Sequence, residues 1–373
     1  MKHTAAPLGV GIVGLSADGG WAARGHLPAL RAVDGYELRA LTASTPDSAR
    51  KAAAAFGLPE SAAGTDAAAL AARDDVDLVV ITVRVPRHRE LILPVLEAGK
   101  TVLSEWPLGN GLAEAEELAA LAARTGTRTA VGLQARSAPA VRHLRDLVAD
   151  GYVGEVLSTT LVGSGGGWGP TVGERAAYTA DRANGATLLT VPFGHTLDAL
   201  TMVLSGFATV TATTATRRPR VRIAETGAPL PMTAEDQIAV TGRLESGAVA
   251  ALHYRGGSSR GTNLLWEING TEGDLVLTGG SGHLQFGQVE LRGARGDRRE
   301  LRPLPVPDAY LRPDGTDRLA AVDGPAGIVA HAYHQLRADL RDGTSVVPDF
   351  AHAAEHHRLL DRITRAAETG SAQ

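Results

Sequence analysis

The sequence predicts an α/β domain with a doubly wound parallel sheet, followed by an α+β domain with a large, mainly antiparallel open sheet. Three observations predict it. From Leu8 to about Leu133, short apolar runs alternate with Ala-rich helical stretches, the order that builds right-handed βαβ units. The run Val76–Val83 is continuous and rich in β-branched residues, as in a strand buried on both faces. After about residue 138 the pattern changes to successive strand-like runs joined by Gly-containing loops. The expected domains are therefore residues 1–135 and 136–373.

The elements follow in order. Leu8–Gly14 is an apolar run ending in glycine, a first strand. Leu27–Val33 reads as helix, Tyr36–Leu41 as a second strand and Pro46–Phe56 as a second helix. Val76–Val83 is the buried strand. Arg87–Ala98 is helical and stops at Gly99, a residue that favours helix ends. Thr101–Ser104 is strand, Leu112–Arg124 helix and Thr129–Leu133 strand. Helix Ala138–Asp150 ends at Gly151. Strands are expected at Glu155–Val162, Thr209–Thr216, Gln237–Leu244, Ala248–Tyr254, Leu264–Ile268 and Asp274–Leu277. Glu245–Gly247 and Asn269–Gly273 read as hairpin loops, while Arg217–Pro231 and the Pro-rich Pro303–Pro325 read as loops. A last helix over 352–368 carries Ala354, Leu359, Leu360 and Ile363 on one face.

Composition removes several classes of function. The 373 residues are 44% hydrophobic and 21% charged, a globular composition. A net charge of −4 leaves no electrostatic footprint for nucleic acid. The absence of cysteine excludes disulfides, thiolate metal sites and a cysteine nucleophile. Met1–Leu8 lacks the apolar stretch of a signal peptide, and no run of about 18 apolar residues occurs, so no membrane association and a cytoplasmic location are expected.

The first βα turn carries the chemistry. Gly9, Gly11, Gly14, Gly19 and Gly20 run from the first strand into a helix. Glycines there let the backbone approach a pyrophosphate, whose charge the helix N-terminus stabilises. The spacing is an imperfect Rossmann fingerprint, and its βαβ context is what strengthens it. Gly11, Gly14, Leu15 and Ser16 are the expected cofactor contacts. Trp21 reads either as a wall beside the cofactor or as a packed aromatic. The second strand ends Leu41-Thr42-Ala43-Ser44-Thr45 with no acid to bind a ribose 2′-hydroxyl. Ser44, Thr45 and Arg50 are therefore expected at a 2′-phosphate, making NADP the cofactor and NAD the alternative. Thr82, Arg84 and His88, after the strand Val76–Val83, complete that side of the expected set.

Several motifs together resemble the glucose–fructose oxidoreductase / inositol 2-dehydrogenase (Gfo/Idh/MocA) family. They are the glycine loop, Gly25-His26-Leu27-Pro28-Ala29-Leu30, Glu105-Trp106-Pro107, Gly194-His195-Thr196-Leu197-Asp198, and Val347-Pro348-Asp349-Phe350 before the last helix. Blocks such as Leu133-Gln134-Ala135-Arg136, Gly165-Gly166-Gly167-Trp168 and Asn269-Gly270-Thr271-Glu272-Gly273-Asp274 resemble the branch typified by a fungal galactose-pathway repressor. That branch keeps the fold and binds the dinucleotide but regulates transcription through protein contact.

The resemblance implies roles residue by residue. The family's motif Glu-Lys-Pro places a lysine near the nicotinamide; here Trp106 stands in its place, between Glu105 and Pro107. The family's second motif is an Asp, then a His four residues on, then an Asp three further. His195 and Asp198 match, but Val191, with Thr190 beside it, replaces the first acid. His195 is then the expected acid–base group, since imidazole titrates near neutral pH. Asp198 either orients that imidazole or is an ordinary acid in a helix's first turn. Gln134 and Arg136 are expected at the substrate, Arg136 binding an anionic group or pairing with a carboxylate. Trp168 and Tyr178 line a substrate pocket or pack the domain. His352, His356 and His357 on the last helix, like His331 and His334, read as a solvated face, and no metal is expected.

Two functions follow from these residues. One is an NAD(P)-dependent oxidoreductase moving hydride to or from a sugar, cyclitol or related carbonyl or imine carbon. The other is a non-catalytic NAD(P)-binding regulator. The expected partner in the first is a small molecule. A homodimer or homotetramer is expected, because an open sheet with one uncovered face is usually buried by association.

Overall fold

The computed structural model describes residues 6–286 and 288–373. Of the opening segment Met1–Leu8, residues 1–5 lie outside the described residues. The chain forms two compact units, Met1–Leu133 with Asp314–Glu355 and Gln134–Pro313 with His356–Gln373.

In the first unit, six parallel strands alternate with helices: β1 (Leu8–Val13), α1 (Leu27–Ala32), β2 (Tyr36–Thr42), α2 (Pro46–Phe56), β3 (Ala63–Gly64), α3 (Ala67–Ala71), β4 (Leu78–Ile81), α4 (His88–Glu97), β5 (Thr101–Glu105), α5 (Leu112–Thr125) and β6 (Thr129–Gly132). Their order, β3-β2-β1-β4-β5-β6, is the Rossmann order, with its switch point between β1 and β4. Every residue of β4 is buried, as a strand covered on both faces requires. Helix α2 begins where the sequence predicts because Thr45 and Ser48 form a reciprocal capping box and Pro46 opens the first turn; Gly57, at φ 77°, ends it. Helix α1 is preceded by a π-helical turn over Ala22–His26, which lengthens the predicted Leu27–Val33 segment backwards.

The second unit opens with α6 (Pro139–Ala149), then β7 (Val156–Gly165), β8 (Thr171–Val172), α7 (Gly194–Leu204), β9 (Phe207–Ala215), β10 (Arg220–Ile223), β11 (Pro229–Pro231), β12 (Gln237–Leu244), β13 (Val249–Gly256), β14 (Leu264–Gly270), β15 (Gly273–Gly279), β16 (Val289–Arg295), β17 (Arg302–Pro303) and α8 (Asp308–Leu311). Eight strands form one sheet in the order β17-β16-β15-β14-β7-β13-β12-β9. It is antiparallel except for the pair β7 and β13. Strands β12 and β13 alternate cleanly: Ile238, Val240, Leu252 and Tyr254 are buried, while Ala239, Thr241, Val249, Ala251 and His253 are exposed. Arg217–Pro231, expected to be a loop, instead supplies β10 and β11; β10 pairs with β8 on one side and β11 on the other in a small three-stranded sheet. These strands are too short to show a period, and burial of Val221 is what anchors them.

The chain then returns. Helix α9 (Gly324–Asp342) belongs to the first unit, packing Val329, Ala330, Tyr333 and Leu336 into the core that contains Val10, Ile12, Leu78 and Leu103. This corrects the expected assignment of 136–373 to one domain. The first break, Leu133/Gln134, falls close to the expected boundary, but the return of 314–355 depends on packing that local sequence does not encode. Helix α10 (Phe350–Thr369) begins in the first unit and ends in the second. Among the described residues, no helix is long and apolar enough to cross a membrane.

Candidate functional site

In the first unit, the site grows from the switch point. Gly14 ends β1 at φ 96°, a region open to glycine and costly for other residues. A Cβ there would lie 2.9 Å from Val83 Cγ1 and 3.1 Å from Thr82 Oγ1. The Thr82 hydroxyl donates to Val13 O at 2.8 Å, and the Gly14 and Leu15 amides donate to Thr42 O. The carboxyl ends of β1, β2 and β4 are thus bound to one another. They enclose a cleft of about 170 Å³ between Gly14–Ser16, Thr42–Ser44 and a wall of Val83, Arg87 and Leu91.

Not every expected cofactor residue faces this cleft. Gly14, Leu15, Ser16 and Ser44 line it, joined by Ser48, Thr65 and Arg87, which sequence reasoning did not single out. Gly11 lies inside β1, where a Cβ would come within 2.5 Å of Leu70 Cδ2; its glycine serves packing. Thr45 is occupied as the α2 cap, accepting from the Ser48 amide at 3.1 Å. Arg50 pairs with Asp47 and sits 3.8 Å from Glu60. Trp21 meets the His26 ring edge-on at 6.0 Å, and Gly25 leaves room for its indole. Arg84 precedes the short 3₁₀ turn Val85–Arg87.

Two buried histidines brace the same unit. His88 lies between Pro107 O, 2.8 Å from Nδ1, and Val83 O, 3.0 Å from Nε2. Burial of the ring holds its pKa below the usual imidazole value. A neutral ring carries one N–H, so it donates to one of these carbonyls at a time. His88 therefore ties the turn after β4 to the turn after β5. His26 Nε2 is 2.9 Å from Glu105 Oε1, and its Nδ1 is 2.8 Å from the Tyr333 hydroxyl. A neutral His26 donating to the carboxylate accepts from Tyr333, whose pKa burial pushes well above the usual phenol range. Gly132 makes room for that carboxylate, since a Cβ there would meet Glu105 Oε1 at 2.4 Å. Trp106 is buried and joined to Pro107 by a cis peptide bond.

The second unit carries the acid–base candidates. His195 is buried in the first turn of α7, which continues from a π-helical turn over Leu189–Phe193. Such turns recur at functional sites. The buried Glu235 carboxylate accepts from the Thr187 hydroxyl and, at 3.0 Å, from the Leu189 amide, fixing the chain as it enters that turn. On the other side, His356 Nε2 donates to Gly194 O at 2.8 Å. His356 and His357, and His331 on α9, are buried, so the solvated face expected for them is corrected; the inward face of α10 holds the residue next to His195. Among the described residues, no group of His, Asp and Glu could hold a metal.

Asp198 is fully buried and receives Arg136 Nη1 at 3.2 Å. Of the alternatives open for Arg136, the structure shows the carboxylate pair. Gln134 is buried in the 3₁₀ turn that also carries Arg136. Trp168 adopts a left-handed backbone, φ 53°, and its Nε1 donates to Thr179 O at 3.1 Å. Its indole stacks on His283, a residue sequence reasoning missed, with centroids 6.3 Å apart. Tyr178 is half-buried on the 3₁₀ helix Glu174–Ala180.

Fold and cleft together define a dinucleotide-binding protein of oxidoreductase architecture. Residues 8–133 match the family described as "Oxidoreductase family, NAD-binding Rossmann fold", and residues 139–279 match "Gal80p, C-terminal domain". The galactose/lactose metabolism regulatory protein GAL80 of Saccharomyces cerevisiae is 30% identical over 307 residues, 77% of this chain and 70% of that protein. Dehydrogenase aclE of Aspergillus oryzae is 29% identical over 373 residues, covering 97% of this chain and 96% of its own. A solved super-repressor mutant of Gal80p from Saccharomyces cerevisiae superposes with a TM-score of 0.87 at 26% identity, covering 99% of this chain and 98% of that one. The chain belongs to the Gfo/Idh/MocA oxidoreductase family, close to its Gal80-like branch.

Proposed function

We propose that this protein is an NADP(H)-dependent oxidoreductase acting on a sugar, cyclitol or related carbonyl or imine compound, with His195 as its acid–base group. The observation that carries this reading is the setting of His195: a buried imidazole opening α7 from a π-helical turn, its neighbour Gly194 held by His356. A bound nicotinamide supplies or accepts the hydride. Gly14 fits such a cofactor, because it turns the chain at φ 96° on the wall of the cleft and offers bare backbone for a pyrophosphate to approach. His195 gives or takes the proton at the substrate oxygen or nitrogen. Asp198 neutralises Arg136, and Glu235 holds the turn that aims α7.

The preference for NADP rests on the end of β2, where Thr42, Ala43 and Ser44 offer no carboxylate to a ribose 2′-hydroxyl. Ser44, Ser48 and Thr65 supply hydroxyls in its place, and Arg87, which lines the cleft and is paired with Glu90, takes the role expected of Arg50. We further propose that the protein is a homodimer or homotetramer, joined through the sheet face that exposes Val249, Ala251 and Thr241.

The test is a screen of sugars, polyols and keto-sugars, followed at the absorbance of reduced nicotinamide, with wild type and His195→Ala. Loss of an acid–base group lowers turnover about 10²–10⁴-fold, while NADP affinity stays unchanged. Turnover retained in His195→Ala overturns the role of His195. A second reading, a non-catalytic regulator, draws on the similarity to GAL80 and on Trp106 standing where the family resemblance implies lysine. A blank screen together with a protein partner whose affinity responds to NADP supports that reading instead.

A further inference from the structure

We infer that His26 is a positioning residue for the nicotinamide half of the dinucleotide, because it fixes Glu105 and with it the turn 105–107 at the end of β5. This rests on the reading of the first unit as a nicotinamide dinucleotide site.

Strand order separates the two halves of such a cofactor. A dinucleotide crosses the switch point between β1 and β4, with its pyrophosphate at the first βα turn. The adenosine half falls on the β2 side, where Thr42, Ser44 and Ser48 line the cleft. The nicotinamide half then falls on the other side, at the carboxyl ends of β4 and β5, and Glu105 is the last residue of β5.

His26 reaches that residue from the turn that follows the glycine loop. The Leu27 amide donates to Ala22 O, five residues back, so the turn Ala22–His26 is wider than an α-helical one. Such π-helical turns are rare and recur at functional sites. Trp21, next to Gly20, closes over Gly25, where a Cβ would lie 3.1 Å from the indole, and meets the imidazole edge-on. With its proton on Nε2, the ring donates to Glu105 Oε1 at 2.9 Å, and its Nδ1 accepts from the Tyr333 hydroxyl at 2.8 Å. Tyr333 is itself fixed, since the Tyr36 hydroxyl donates to its carbonyl at 3.0 Å. Helix α9 thus sets the imidazole, and the imidazole sets the carboxylate. On the far side of Trp106, Pro107 O lies 2.8 Å from His88 Nδ1. Both neighbours of Trp106 are therefore held by a buried histidine.

Stability alone does not account for this network. The side chains of His26 and Glu105 are 1% and 12% exposed, so both have given up most of their hydration. Apolar residues of similar volume often hold a core as well as a buried polar pair, or better. What the pair adds is one fixed position for Glu105, on the side of the crevice where half of the ligand lies. A wall set before the ligand arrives spares the cost of ordering it on binding.

The test is calorimetry on the full chain with NADP and NAD, and with 2′-phospho-ADP-ribose and ADP-ribose, which lack the nicotinamide ring. In His26→Gln the new amide stands near the place of Nε2 and still reaches Glu105. In His26→Asn it stands near Nδ1, reaches Tyr333 and falls short of the carboxylate. His26→Asn should weaken the dinucleotides about tenfold and leave the two fragments unchanged, while His26→Gln keeps most of the wild-type affinity. Tyr333→Phe, which removes only a hydroxyl, should weaken the dinucleotides selectively and by less. A merely structural role would cost fragments and dinucleotides alike. Undiminished dinucleotide affinity in His26→Asn overturns the inference, and so does a selective loss equally large in His26→Gln, which would show that the imidazole does not act through Glu105. Where His26→Asn loses fragments and dinucleotides together, Tyr333→Phe decides: a loss confined to the dinucleotides supports the inference, and an equal loss or none overturns it. Fragments bound by wild type as tightly as dinucleotides overturn the inference and leave the cofactor site standing. No binding of any of the four by wild type defeats the cofactor site and the inference together.

Discussion

His283 makes the second unit's stability depend on pH in a way that can be worked out beforehand. The ring is 8% exposed between Trp168 and Phe286, and burial lowers its pKa from 6.5 to about 4. The unfolded chain therefore binds a proton that the folded chain refuses throughout the interval from pH 6.5 to 4. Stability from the neutral ring is fully present above about pH 6.5 and is lost as pH falls towards 4, below which no more is lost. A displacement of about 2.5 units, at 1.36 kcal/mol each, amounts to about 3 kcal/mol. The perturbation is His283→Phe, which keeps a planar ring in the stack and removes the titration. Urea unfolding of both proteins from pH 7.5 to 4 is the assay, read as the difference between them. His88, His143 and His253, which burial also holds low, are common to both and cancel in that difference. The difference should shift by about 3 kcal/mol in favour of the variant across the interval. Parallel curves, or an imidazole NMR titration of His283 centred near 6.5, refute the reasoning.

Three further outcomes are expected. Gly14→Val should abolish NADP and NAD binding in calorimetry, because valine cannot adopt φ 96° cheaply and its Cβ would press on Val83; unchanged affinity removes the loop from the cofactor site. Arg87→Ala should weaken NADP about tenfold while leaving NAD almost unchanged, and Arg50→Ala, in a residue that does not line the cleft, should leave both unchanged; equal losses for the two cofactors would show that Arg87 does not read the 2′-phosphate. Val249→Asp should dissociate the assembly seen by light scattering at micromolar concentration, because Val249 is 60% exposed on the open sheet face; a wild type already monomeric there refutes association through that face.

The sequence makes five of the six strands of the parallel sheet legible because each is a local signal, whereas β3, only two residues long, gives none. Pro46–Phe56 is predicted to the residue, since Thr45, Pro46 and Gly57 mark its ends chemically. Helix α9 escapes because its buried positions mix Ala326, Ala330, His331, Tyr333 and Asp339 with only Val329 and Leu336 as large aliphatic residues, which leaves no clear period. Its return to the first unit is a tertiary event with no local sign. The site divides in the same way. Gly14 and His195 stand in motifs that can be read along the chain. His356, Glu235 and His283 act through partners far away in sequence: Gly194 is 162 residues from His356, and Thr187 is 48 from Glu235. Arg87 was passed over for Arg50 because spacing alone does not reveal that Arg87 lines the cleft and Arg50 does not.

Catalysis, on the proposed reading, has to proceed without the lysine that the family resemblance implies. A lysine beside a reacting hydroxyl contributes positive charge and a proton. In this chain Trp106 contributes neither, and its indole is buried at the end of β5. The second unit holds a guanidinium, but Asp198 sits 3.2 Å from it, so the pair adds little net charge. On the proposed reading, proton transfer falls to a single imidazole, and the transition state has one fewer cation to stabilise a developing alkoxide. By microscopic reversibility the imidazole that delivers a proton as hydride arrives takes it back when the alcohol or amine is oxidised. If His195 is that group, His195→Gln should therefore slow reduction of a carbonyl or imine and the reverse oxidation alike, by about 10²–10⁴-fold. Measuring both directions for the same substrate pair in wild type and variant decides it: a loss confined to one direction, or no loss, is incompatible with His195 as the lone proton carrier.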